Sequence, residues 1–192
     1  MPAMLQRIAA RSSHQLETHV LSFGGASLAA HWNRGTAQVL LAEESWDAIV
    51  LQDQSTRALR APNSMREYGL RFAEAAYAAG VTPLLYVTWA RQDQPEQQTA
   101  ITSAYQELAD ATGALPVPVG PAWQQLQALD PQLVLYDADR SHPSVTGTYL
   151  SACVFFVSLF GKKPKGMDNE ILTLTEEHAD LIHQVAWRAA TE

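Results

Sequence analysis

Trp46-Asp47-Ala48-Ile49-Val50-Leu51-Gln52-Asp53-Gln54-Ser55 is a compact apolar run that ends abruptly in polar residues. A run of this kind marks a strand buried on both faces of a parallel sheet, where covering helices leave no solvated side. Pro83 to Trp89 repeats the pattern and exits into the polar loop Ala90 to Pro95. Leu115 to Val119 is a shorter strand, and Leu133 to Tyr136 is a last strand-like piece before Asp137. Helical patterns separate them. One covers about 64–79, with Met65, Tyr68, Phe72 and Ala76 aligned and Gly80 as its stop; another covers about 96–111, ending at Gly113. Pro121 suits the first turn of a helix running to about Leu129. Val145 to Phe160 is so uniformly apolar that it predicts a buried helix, closed by Gly161.

Toward the N-terminus, Leu16 to Phe23 reads as a short strand stopped by Gly24-Gly25. Ala26 to Trp32 and Thr36 to Glu44 follow as short helical pieces. A first helix spans Met4, Leu5 and Ile8, directly after Pro2, and ends near Arg11. Beyond the basic loop Lys162 to Gly166, a final helix starts near Thr175 with Ala179, Ile182, Val185, Ala186 and Ala189 on one face. Alternation of strands and helices over 192 residues predicts a single α/β domain, a doubly wound three-layer α/β/α sandwich with a mainly parallel sheet. Ligands of such folds bind beyond the C-terminal strand ends. Three loops meet that condition: Gly24-Gly25, Gln52 to Ser55, and Asp137 to Ser144.

The net charge of −7 and pI near 5.3, with no basic stripe, argue against a nucleic-acid partner. No stretch has the apolar length of a membrane span, and no signal region follows Met1, so localisation and oligomeric state stay open. Cys153 is the one cysteine and sits within an apolar helical pattern, as a buried structural thiol would. His14, His19, His178 and His183 lack metal-ligand spacing, and no phosphate loop or Gly-x-Gly-x-x-Gly occurs, so neither metal nor cofactor is expected.

Within the third loop, Asp139-Arg140-Ser141-His142-Pro143 has the form Asp-x-x-His. Together, Phe23-Gly24-Gly25-Ala26-Ser27-Leu28, Trp46 to Ser55, and Asp139-x-x-His142-Pro143 resemble, in order, the second, third and last blocks of the SGNH hydrolases, also called GDSL-type esterases and lipases. Gln54 stands where that family usually has Asn, which resembles a bacterial branch reading Gln-x-Gln-Ser. The resemblance implies a flavodoxin-like sheet and a serine ester hydrolase with no cofactor. Its substrates would be small acyl esters, including O-acetylated carbohydrate. His142 would be the base and Asp139 its orienter, with the Gly25 N–H and the Gln54 amide as oxyanion donors. On position alone, His31 and Arg91 are candidate substrate contacts.

Those roles suit the residue types. A histidine can accept a proton near neutral pH, a carboxylate can fix its tautomer, and an amide offers two donors. Each residue also has a plain reading. Asp139 and His142 can belong to a helix-entry loop capped by Ser144, Gln54 can be a sheet-end hydrogen-bonding residue, and Gly25 a turn. His31 and Trp32 can be packed aromatics, and Arg91 a solvated charge.

The nucleophile departs from the pattern. The family's first block, Gly-Asp-Ser or Gly-Asn-Ser, lies between the first strand and the first helix, whereas this chain opens in a helix. The expectation is therefore an N-terminally truncated domain lacking the central first strand and inactive as it stands. Ser27 is the alternative nucleophile, and a non-catalytic module binding a carbohydrate or acyl ligand is the alternative function.

Overall fold

The computed structural model describes residues 1–166 and 173–192. In chain order the elements are α1 (Pro2–Arg11), α2 (Leu28–Arg34), α3 (Thr36–Glu43), β1 (Ala48–Leu51), α4 (Arg57–Arg60), α5 (Pro62–Ala78) and β2 (Thr82–Tyr86). A 3-10 turn at Pro95–Gln97 leads into α6 (Gln98–Thr112), followed by β3 (Leu115–Val117), α7 (Val119–Leu129), α8 (Val145–Phe160) and α9 (Glu176–Thr191). They pack as two compact units. One comprises Leu21–Thr88 and Thr99–Val117; the other comprises Met1–Val20, Trp89–Gln98 and Pro118–Glu192.

The first unit holds a parallel sheet in the order β1-β2-β3. Ala48 pairs with Thr82 and Leu51 with Leu85; Leu84 pairs with Leu115 and Tyr86 with Val117. Helices α5 and α6 make the crossovers that parallel pairing requires. On α5 the apolar spacing buries Met65, Phe72, Ala73 and Ala76, and on α6 it buries Ile101, Tyr105 and Leu108. Trp46, Ile49 and Ala75 pack on a small cluster of Leu41, Ala76 and Val81. Central strand β2 is buried from Pro83 to Tyr86, as its composition predicts.

β1 differs from its expectation. Val50 is 43% exposed, so this strand is an edge and not a doubly covered one. Two expected strands are also absent. Leu16 to Phe23 has no ladder partner among the described residues, and its Val20 and Leu21 are exposed, so its alternating apolar positions are not buried against a sheet. At Leu133 to Tyr136 the chain folds back on itself. Ser144 Oγ donates to the Val134 carbonyl and the Ser144 N–H to that of Leu135, which leaves one antiparallel bridge, Tyr136 with Pro143. Carbonyls already used by the returning loop do not join a sheet.

The second unit is built around α8, whose residues from Tyr149 to Val157 are all buried. Helix α1 applies Leu5, Ile8 and Ala9 to it, while α7 and α9 pack on it and on each other. Cys153 lies within this core, and burial pushes its thiol well above the ordinary range. Ser144 caps α8, its Oγ accepting from the Gly147 N–H at 3.1 Å.

Gly147 is where the packing is tightest. A Cβ there would lie 2.3 Å from the Leu135 carbonyl oxygen and 2.3 Å from the Trp123 ring. Neither the main chain nor a fully buried indole can retreat. Gly147→Ala should therefore cost about 3 kcal/mol, at the upper end of overpacking effects, and be read as a lowered urea midpoint with unchanged slope.

Candidate active site

The loop carrying Asp139 and His142 is held from below by aromatic side chains of its own unit. Trp89 and Trp123 stack with centroids 4.1 Å apart and planes 8° from parallel, and Tyr136 meets Trp123 edge-on at 5.3 Å. Each outer ring also fixes a piece of main chain. Trp89 Nε1 donates to the Ser141 carbonyl at 3.0 Å, and the Tyr136 hydroxyl donates to that of Ala90 at 2.8 Å. Burial raises the Tyr136 phenol to about 12, so it remains a donor at working pH. The Asp137 N–H donates to the His142 carbonyl, and the Gln92 N–H donates to the Arg140 carbonyl. Arg140 adopts φ +59°, the left-handed turn that lets the loop reverse.

On this support Asp139 Oδ1 accepts the N–H groups of Ser141 at 2.9 Å and His142 at 2.8 Å. Its Oδ2 bonds His142 Nδ1. The bond to the ring, with the two backbone donors, holds the Asp139 carboxyl down at about 2. An ionised partner makes Nδ1 the protonated nitrogen, so Nε2 is left as an acceptor on a side chain that is 78% exposed. Arg91 lies exposed in the loop after β2.

Gly25 and Gln54 belong to the sheet-containing unit, where they line one open cleft of about 310 Å³ with Thr56, Arg57, Arg60 and Ala61. Gly25 has φ +70°, a turn conformation that glycine adopts freely. The Gln54 side chain is oriented by its oxygen, which accepts from the Thr56 N–H at 3.0 Å and the Thr56 hydroxyl at 2.7 Å. That fixes which end is the amino group. Nε2 has a 3.3 Å contact with Ser55 Oγ and retains a second hydrogen.

Ser27 is 6% exposed, and its Oγ caps α2 by accepting from the Ala30 N–H at 3.2 Å. His31 packs against Phe23 with centroids 4.6 Å apart; burial lowers its basicity, as does Arg34 more weakly, against the opposing effect of Asp53. Trp32 packs edge-on to Phe72 at 5.0 Å. The structure thus joins Asp139 to His142 in one unit and places Gly25 with Gln54 in the other. Neither Ser27, His31 nor Arg91 lines the Gly25–Gln54 cleft. Among the described residues no cluster of three metal-ligating side chains occurs, and no helix is long and apolar enough to cross a membrane.

The sequence reading missed Asp53. This carboxylate is 3% exposed, and its Oδ1 accepts both the Leu28 N–H at 3.0 Å and the Gln54 N–H at 2.8 Å. It therefore ties the start of α2, three residues beyond Gly25, to the loop that carries Gln54. The available signal was an acidic residue directly at the end of an apolar strand. Burial raises the Asp53 carboxyl, and the two N–H bonds, Arg57 and His31 only partly oppose it.

A raised carboxyl stabilises the fold below its unfolded value and loses that contribution as pH climbs through the folded value. Asp53→Asn keeps the accepting oxygen without the charge. The stability difference, followed by urea titration from pH 4 to 8, should move in favour of Asp53→Asn as pH rises, and Asp53→Ala should follow the same trend from about 2 kcal/mol lower because it orphans two N–H groups.

No protein-family model matches the chain, and no curated protein does. Solved structures do. A protein from Slackia heliotrinireducens, provisionally assigned to the SGNH hydrolases, is 28% identical with a TM-score of 0.66, covering 81% of this chain and 88% of its own. A DUF4886 family protein from Bacteroides uniformis reaches a TM-score of 0.78 at 19% identity, covering 96% of this chain and 87% of its own. The esterase EstA from Pseudoalteromonas sp. matches with a TM-score of 0.58 at 15% identity, over 78% of this chain and 79% of its own. In the order of its motifs and in its fold the chain is similar to proteins of the SGNH hydrolase superfamily.

Proposed function

We propose that the protein is an ester hydrolase of the SGNH type, acting on small acyl esters such as O-acetylated carbohydrate by acyl transfer to a serine. The observation that carries this is the Asp139–His142 pair: an ionised carboxylate fixes one ring nitrogen and leaves the other an exposed acceptor. In this role His142 Nε2 takes the proton of the attacking hydroxyl as the tetrahedral intermediate forms, and returns it to the leaving alcohol. Asp139 balances the imidazolium that exists between those events. Water then attacks the acyl-enzyme with His142 again as base, releasing the acid and restoring the serine.

The Gly25 N–H and the free hydrogen of Gln54 Nε2 are the oxyanion donors in this reading. They share one cleft, and Thr56 holds the amide in the orientation the role needs. Donors already aimed at the developing charge stabilise the transition state without reorganising. Ser27 is a poor nucleophile by its geometry, because the residue is buried and its hydroxyl oxygen serves as a helix cap.

Hydrolysis of p-nitrophenyl acetate tests the assignment. Where the protein turns this ester over, His142→Ala should reduce kcat about 10³-fold, and Gln54→Ala should reduce kcat about 10²-fold with KM little changed. Labelling with a fluorophosphonate followed by peptide mapping locates the serine. Labelling of Ser27, with turnover abolished by Ser27→Ala, would transfer the nucleophile's role to it. Absence of both turnover and labelling, with acetylated oligosaccharide still bound, would favour the non-catalytic binding module.

A further inference from the structure

The cleft shared by Gly25 and Gln54 has an uneven charge. Its other lining residues are Thr56, Arg57, Arg60 and Ala61, so two of six are arginines and none is acidic. The chain as a whole carries −7. Among the described residues neither guanidinium is held in an ion pair; Arg57 is half-buried and Arg60 exposed. They stand three residues apart on α4, which places both on the same side of that turn. Asp53 attracts Arg57 electrostatically without forming an ion pair with it. The Asp53 oxygen Oδ1 is directed to the Leu28 and Gln54 N–H groups.

Two guanidinia that form no ion pair among the described residues, beside a pair of hydrogen-bond donors, attract an anion more strongly than a neutral sugar, because each can donate a forked pair of bonds to a carboxylate. We propose that Arg57 and Arg60 make this cleft selective for esters carrying a carboxylate. The proposal rests on the ester-hydrolase reading for its catalytic form, while its binding form stands alone. The carboxylate can lie on the alcohol side, as in an O-acetylated uronate, or on the acyl side, as in a succinyl ester. Arg57 and Arg60 are then specificity-determining residues, and the bonds broken and formed are those of the acyl transfer above.

The test compares O-acetylated trigalacturonate with O-acetylated xylotriose, and p-nitrophenyl succinate with p-nitrophenyl acetate. The ratio of kcat/KM for the charged over the neutral member should exceed about tenfold in at least one pair and fall by about tenfold in Arg57→Gln/Arg60→Gln. It should also shrink as salt is raised from 20 to 500 mM. The pair that responds identifies the side on which the carboxylate sits. Turnover of the neutral esters with ratios near one in both pairs, or ratios unaltered in the double variant, overturns the proposal and leaves the hydrolase reading intact. If no ester turns over, calorimetric binding of O-acetylated trigalacturonate and of sodium succinate decides. Salt-sensitive binding of either that is lost in Arg57→Gln/Arg60→Gln upholds the anion site, and its absence in the unaltered protein overturns it.

Discussion

The loop of Asp139 and His142 depends on how closely α8 approaches the Trp123 ring. Gly147 has no side chain, so the first turn of α8 lies directly on the indole and on the Leu135 carbonyl. Trp123 in turn supports Trp89 and Tyr136, and those two residues hold the Ser141 and Ala90 carbonyls. Removing one methyl's worth of space at the glycine would move the platform from which the loop projects. An exposed histidine can be held in place in this way because the constraint is applied to its backbone from beneath.

How far the sequence could be read follows from where each signal was physical and local. Val145 to Phe160 was legible to the residue, because a strongly apolar run between a Ser144 cap and Gly161 has one economical conformation. β2 was legible for the same reason. The failures lie where pairing, not composition, decides. Leu16 to Phe23 and Leu133 to Tyr136 have strand-like content, yet a strand requires a partner edge, and Ser144 occupies the carbonyls of Val134 and Leu135. Val50 reads as interior by residue type and is exposed because β1 ends the sheet.

Site legibility divides in the same manner. Asp-x-x-His places its partners within one turn of chain, and the side chains that the family resemblance paired, Asp139 and His142, are in contact. Gly25 and Gln54 lie far apart in sequence, and only motif order suggested that they share a cleft. Asp53 went unread because its two bonds are to main-chain N–H groups, one of them 25 residues away, and a backbone donor leaves no mark in the sequence.

Asp53 and Asp139 use the same local device with opposite electrostatic results. Each accepts two backbone N–H groups on one oxygen, at 2.8 and 3.0 Å for Asp53 and at 2.8 and 2.9 Å for Asp139. Those bonds lower a carboxyl in both places. Asp53 is nevertheless raised, because almost complete removal from water disfavours its charge by more than two neutral donors return. Asp139 remains half in solvent and adds the His142 ring, so the weaker cost of its partial desolvation does not offset the donors and its carboxyl stays low. Burial therefore separates a carboxylate suited to holding two segments together from one suited to facing an imidazolium. Exchange of their environments, with every hydrogen bond kept, would leave Asp139 too readily protonated to fix the histidine tautomer.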